Sequence, residues 1–192
     1  LRLLLGWCLT FFVAAVAGLS ATWLALTEEV AFGSVRIGAW TAHPKMGTID
    51  IDPYARATIA RTGELPLGSG DGVAFVARTD DAGRSFDGRC ELIVSGITPP
   101  ARFWTLTLYA PNGRLVRNTV NRHGFTSQEI VRKADGSFDI VVAPRARAGN
   151  WLPSAGVDRY ILALRLYDTP VGASTRPGRE AAMPSVARGA CS

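Results

Sequence analysis

The chain has 192 residues, 47% hydrophobic and 19% charged, with 21 Lys and Arg against 16 Asp and Glu for a formal net charge of +5. The isoelectric point of about 9.6 comes from arginines scattered among acids, so no basic block marks a nucleic-acid footprint and no nucleic-acid partner is expected. The mean hydropathy of +0.14 is raised by one N-terminal apolar run; the remaining residues, roughly 160, have an ordinary soluble composition and make one domain rather than two.

That run covers residues 3–26 and carries no charge. At about 1.5 Å per residue it spans a bilayer core of about 30 Å, so a transmembrane anchor is expected over residues 1–27, with the lipid bilayer as its partner. Arg2 precedes it and Glu28 and Glu29 follow, with no Lys or Arg until Arg36, which by the positive-inside rule leaves the N-terminus cytoplasmic. The alternative is a cleaved secretory signal, for which Ala15-Val16-Ala17 and Leu19-Ser20-Ala21 offer small residues near a cut. Signal cores usually run about 7–15 residues, shorter than this one, and both readings export the same domain. Ala14, Gly18 and Thr22 lie on one helix face, as do Ala17 and Ala21, a spacing that permits a homodimer through the anchor.

Residues 28–45 read as a connector with one short strand around residues 35–37. Next, Asp52 can cap a helix whose first position suits Pro53 and whose stop suits Gly63, with Ala55, Ile59 and Thr62 on one face. This is the one substantial helix expected in the domain that occupies residues 46–192. From Val73 onward the period changes to two, and β-formers alternate with turn signals, the pattern of an all-β sandwich. Three hairpins are expected: residues 73–79 with 90–95 across Asp80-Asp81-Ala82-Gly83, 103–109 with 114–117 across Pro111-Asn112-Gly113, and 128–133 with 137–143 across Ala134-Asp135-Gly136. Residues 159–167 form a long late strand. In residues 103–109, Trp104, Leu106 and Leu108 share one face and Phe103, Thr105, Thr107 and Tyr109 the other, so this strand lies centrally in a sheet or beneath a cover such as the short helix.

Cysteine usage bears on the compartment. Cys8 lies in the apolar run, leaving Cys90 and Cys191 as an exported pair suited to a disulfide in an oxidising space. The bridge would fasten the tail, residues 176–192, whose Pro, Gly and Ala leave little to pack; the alternative is two unrelated thiols. His43 and His123 lack the spaced partners of a metal ligand set, so no metal and no cofactor is expected. Asp50, Asp52, Asp80 and Asp81 fall at turns and caps. The stretch Leu67-Gly68-Ser69-Gly70-Asp71-Gly72 lacks the Lys-Ser/Thr ending and the helix of a phosphate loop, and no catalytic constellation is evident. The polar segment with binding potential is Asn150 to Tyr160, where Trp151 can stack on a ring and Arg159 can donate paired hydrogen bonds to a carboxylate. Tyr54 and Arg56, near a helix N-terminus, can join Asn150, Trp151 and Arg159 in one cluster. The structural alternative has Trp151 plugging the sandwich end, Asn150 holding the turn and Arg159 paired with Asp158 or Asp168.

The strings Asp52-Pro53-Tyr54-Ala55-Arg56-Ala57, Pro99-Pro100-Ala101-Arg102-Phe103-Trp104-Thr105-Leu106-Thr107-Leu108-Tyr109, Gly149-Asn150-Trp151-Leu152-Pro153 and Arg165-Leu166-Tyr167-Asp168-Thr169-Pro170 resemble the DUF1214 family, a domain of unknown function. The chain looks like its short, membrane-anchored form without the DUF1254 domain. The resemblance implies a jelly-roll-like β-sandwich and no established activity, cofactor or catalytic residue. It also places cysteines where Cys90 and Cys191 stand, which favours the bridge.

The expected role is a non-catalytic binding or accessory module on the periplasmic side of the bacterial inner membrane, with an envelope glycan, a lipid headgroup or another membrane protein as partner. A mildly basic surface suits anionic headgroups and acidic glycans. The alternatives are a structural subunit of a membrane complex and a glycan-active enzyme with two carboxylates flanking a groove.

Overall fold

The structure is a computed structural model and describes residues 2–27, 33–62, 67–171 and 182–191. The chain divides into two compact units, residues 1–33 with 49–65 and residues 34–48 with 66–192.

The first unit holds two helices. Helix α1 (Arg2–Thr27) has 26 residues and is apolar around its whole circumference. At 1.5 Å per residue it is about 39 Å long, and a helix with no polar stripe has no solvated face to offer. It can insert in a membrane or serve as a signal sequence. Helix α2 (Pro53–Thr62) begins where the cap predicts: the Asp52 carboxylate accepts the N–H groups of Tyr54 at 2.9 Å and Ala55 at 3.1 Å. The expected Gly63 stop lies outside the described residues. Helix α2 belongs to the same compact unit as α1.

The second unit is a two-sheet, sandwich-like β domain. Its strands are β1 (Val35–Ile37), β2 (Trp40–Ala42), β3 (Gly72–Ala77), β4 (Cys90–Gly96), β5 (Phe103–Tyr109), β6 (Gly124–Thr126), β7 (Phe138–Ala143), β8 (Asn150–Pro153), β9 (Ile161–Tyr167) and β10 (Ser185–Cys191). One sheet runs β1-β2-β3-β9-β5-β6 and the other β10-β4-β7-β8. Every named pair is antiparallel except β7 with β8, which run parallel with Ile140 opposite Asn150. Alternation puts Phe75, Trp104, Leu106, Leu164 and Leu166 of the first sheet against Leu92, Val94, Phe138, Ile140 and Val186 of the second in one core. The Trp104 and Phe138 rings meet across it with centroids 5.3 Å apart.

Strand β5 lies between β9 and β6, inside its sheet, in keeping with its apolar character on both faces. The three expected hairpins do not form as read. All three turns are present, but β3 and β4 enter different sheets, leaving only an isolated bridge between Thr79 and Ser85 around the Asp80 turn. Residues 114–117 contribute one bridge, Leu115 to Tyr109, and β5 takes β6 as its partner instead. Residues 128–133 form no strand, because the Asn150 carboxamide occupies both backbone groups of Val131: Oδ1 accepts its N–H at 2.8 Å and Nδ2 donates to its carbonyl at 2.8 Å.

Two further segments differ from the reading. Residues 40–42, expected to lie in the connector, form β2 because Trp40 and Ala42 alternate inward and are both about 1% exposed. Residues 185–191, taken as tail, form β10: Val186 enters the core, Ser185 to Arg188 pair with β4, and the Cys90–Cys191 disulfide closes 101 residues of chain. The tail's few apolar side chains matter less than its backbone, which finds a free sheet edge. Asp81 adds a clamp, its Oδ2 accepting the Val186 N–H at 2.7 Å and its Oδ1 the Ala39 N–H at 3.2 Å. A disulfide in a chain that also carries a helix fit for a membrane or a signal points to an extracytoplasmic domain.

Candidate functional site

The loops at one end of the β domain build a cleft of about 470 Å³ lined by Arg84, Arg89, Arg159, Arg188, Asp87 and Asp158, with Ser85 and Phe86. Three separate stretches of chain meet here: residues 84–89 after the Asp80 turn, residues 158–159 before β9, and Arg188 on β10.

The Asp80 turn sets the first stretch. The Asp80 side chain is 1% exposed, and its Oδ1 accepts the Ala82 and Arg84 N–H groups at 3.1 and 2.8 Å. Its Oδ2 accepts Arg84 Nε at 2.8 Å and lies 3.9 Å from Arg188 Nε. Burial raises the Asp80 carboxyl, but the hydrogen bonds and charge of Arg84, with the Ala82 N–H, outweigh it and hold it below the usual carboxylate range. Gly83 has φ near 80°, the left-handed value the turn needs.

The second contact joins two loops by their backbones. Gly88 N–H donates to the Asp158 carbonyl at 2.9 Å, and the Ser154 hydroxyl donates to the Gly88 carbonyl at 3.0 Å. A Cβ on Gly88 would stand 1.8 Å from the Val157 carbonyl oxygen, so only glycine permits this approach. Beneath the cleft Phe86 stacks on Tyr160 with centroids 5.2 Å apart. The Tyr160 hydroxyl is buried with no hydrogen-bond partner among the described residues. Burial pushes its pKa up, with Asp87 adding to and Arg188 opposing the shift.

The guanidinium groups differ in their commitments. Arg89 grips Asp87 with Nε on Oδ1 at 3.0 Å and an Nη on Oδ2 at 2.8 Å, and that paired hydrogen bond, with the Arg89 N–H, drives the Asp87 carboxyl well below its ordinary range. Arg188 donates to the Ser85 carbonyl and sits beside Asp80. Arg159 is exposed and has no hydrogen bond or ion pair among the described residues, and the Asp158 carboxylate accepts no hydrogen bond among them. Arg159 and Asp158 thus present a donor fork and an acceptor side by side.

The other expected site residues fall elsewhere. Asn150 is 7% exposed and satisfied, with Nδ2 also donating to the Asp139 carbonyl at 2.9 Å, so it ties the segment around Val131 to β7 and β8. Trp151 sits half-buried on the edge strand β8, its Nε1 donating to the Ala143 carbonyl at 3.0 Å, and does not line the cleft. Tyr54 and Arg56 belong to the helical unit, where Arg56 donates to the Ile49 carbonyl at 3.0 Å. Only Arg159 of the expected cluster is in the cleft. Arg84, Arg89 and Arg188 each read as one scattered cation in the sequence; the local signals of organised guanidinium groups are the Asp-x-Arg at 87–89 and the Asp80–Arg84 pair across the turn. His123 bonds the Val116 carbonyl at 3.0 Å and Asn121 at 3.1 Å, and no group of three metal-ligating side chains occurs among the described residues.

Residues 71–171 match the family described as "Protein of unknown function (DUF1214)". The fold is similar to the crystal structure of the VPA0106 protein from Vibrio parahaemolyticus, with a TM-score of 0.56 and 19% identity over 69% of this chain and 34% of that one. An uncharacterised protein from Burkholderia cenocepacia is similar at a TM-score of 0.43 and 20% identity, over 87% of this chain and 39% of that one. The chain therefore spans between 34% and 39% of the length of these solved relatives. No curated protein matches it.

Proposed function

The chain belongs to the DUF1214 family, whose function is unknown, and from that premise we propose that it is a non-catalytic binding module of the bacterial cell envelope, held at the periplasmic face of the inner membrane by α1. In this reading it is the short, membrane-anchored form of the family and its sandwich winds as a jelly roll. The observation that carries the proposal is the arginine-lined cleft, whose volume falls in the range of ligand sites and whose guanidinium groups suit an anionic partner.

The test places the full chain in nanodiscs of neutral phosphatidylcholine and titrates it with a polyuronate, a polyphosphate and a sulfated glycan, following tryptophan fluorescence. At least one polyanion is expected to bind with an affinity that falls as salt rises and that weakens in Arg159→Ala. The proposal fails if none binds, or if Arg159→Ala binds as tightly as the parent.

A further inference from the structure

The cleft's charges are nearly balanced, and the balance says what sort of anion suits it. Among the described residues, four guanidinium groups, of Arg84, Arg89, Arg159 and Arg188, stand against the carboxylates of Asp80, Asp87 and Asp158, which leaves one positive charge. Arg84 is tied to Asp80 and Arg89 to Asp87, and Arg188 is committed to the Ser85 carbonyl beside Asp80, while Arg159 has no carboxylate partner among the described residues, so Arg159 is the guanidinium left to receive an anion. A monoanion completes such a site. A phosphate monoester carries nearly two charges at neutral pH and would set the surplus against the two acidic walls.

The walls also constrain the rest of the ligand. Ionised carboxylates only accept hydrogen bonds, so Asp158, with no donor on its carboxylate among the described residues, and the spare lone pairs of Asp87 call for hydroxyl groups. A planar monoanion received by a guanidinium fork, with hydroxyls on the same small framework, is a sugar acid. Resting on the binding-module reading above, we propose that the cleft takes a uronic-acid glycan, with Arg159 receiving the sugar carboxylate and Asp158 and Asp87 accepting its hydroxyls. The neighbouring Asp158 and Arg159 are the specificity pair. Arg159 selects acidic over neutral sugar, and Asp158 selects a hydroxylated monoanion over phosphate.

Calorimetry on the full chain in neutral nanodiscs tests this with a short oligogalacturonate, its methyl ester and inorganic phosphate. The oligogalacturonate is expected to bind at least tenfold more tightly than the ester or phosphate, and Arg159→Ala to remove that preference without moving the melting temperature. Asp158→Asn is expected to weaken oligogalacturonate binding severalfold; if the ligand were a phosphate, removing this negative charge would strengthen binding instead. Equal binding of ester and acid, tighter binding of phosphate, or a gain in oligogalacturonate affinity in Asp158→Asn overturns the uronate assignment while leaving an anion-binding module standing. If neither these probes nor the polyanions bind, both readings fall.

Discussion

Replacing Cys191 by serine opens the largest covalent loop in the protein, and the structure gives the size of the effect. The bridge to Cys90 closes 101 residues, for which the chain-entropy relation gives about 4.7 kcal/mol of stabilisation, acting through the unfolded state. The folded state should change little. Ser185 to Arg188 keep their ladder on β4, Val186 stays in the core, and Asp81 and the Trp40 indole, which donates to the Pro184 carbonyl at 2.7 Å, still hold the start of β10. At about 2–4 °C per kcal/mol for a chain of this size, Cys191→Ser should melt about 10–19 °C lower by circular dichroism in detergent. The parent chain under reductant should match it. Hydrogen exchange at Val186 and Arg188 should accelerate only in proportion to the lost stability. A shift under about 3 °C would refute the loop-closure argument. Full loss of protection at β10 alone would instead show that the bridge, and not the ladder, holds the strand.

Three other perturbations probe different parts of the β domain. Asn150→Ala removes three hydrogen bonds, to the N–H and carbonyl of Val131 and to the carbonyl of Asp139, and at about 1 kcal/mol for each should cost about 3 kcal/mol in urea unfolding; a cost under about 1 kcal/mol would mean that water replaces these bonds. Tyr160→Phe removes a buried hydroxyl that has no partner among the described residues, so it should raise stability by about 1 kcal/mol, and a loss of that size would show that the hydroxyl is bonded in solution. Asp80 has a folded pKa below its unfolded value near about 3.9, so its contribution is present above that value and is lost as pH falls through the folded pKa. The parent's stability should therefore drop more steeply below about pH 4 than that of Asp80→Asn, and parallel acid profiles would contradict the assignment.

The features legible in the sequence were those carried by short-range chemistry. The Asp52 cap, the turns at Asp80, Asn112 and Asp135, and the two faces of β5 each depend on residues within a few positions of one another. Strand pairing does not. Each expected hairpin joined neighbours in sequence, yet β3 took β9, β4 took β7 and β10, and β5 took β9 and β6, because burying one face of every strand outweighed the advantage of short loops. Asn150 shows the limit from the other side: its place at a turn was readable, but not that its amide would occupy Val131 and so prevent a strand there.

By itself the sequence determined the apolar helix, the pair of cysteines outside it, the β-rich character of the domain and its family, since each is written in composition or in local strings. The tertiary structure alone decided which cations act together. Arg84, Arg89, Arg159 and Arg188 are spread along more than half the chain, and they share a cleft only because the Gly88 approach, the Asp80 turn and the pairing of β10 with β4 bring two loops and a strand together. Charge acts through space, so its organisation depends on long-range backbone contacts that no local pattern encodes.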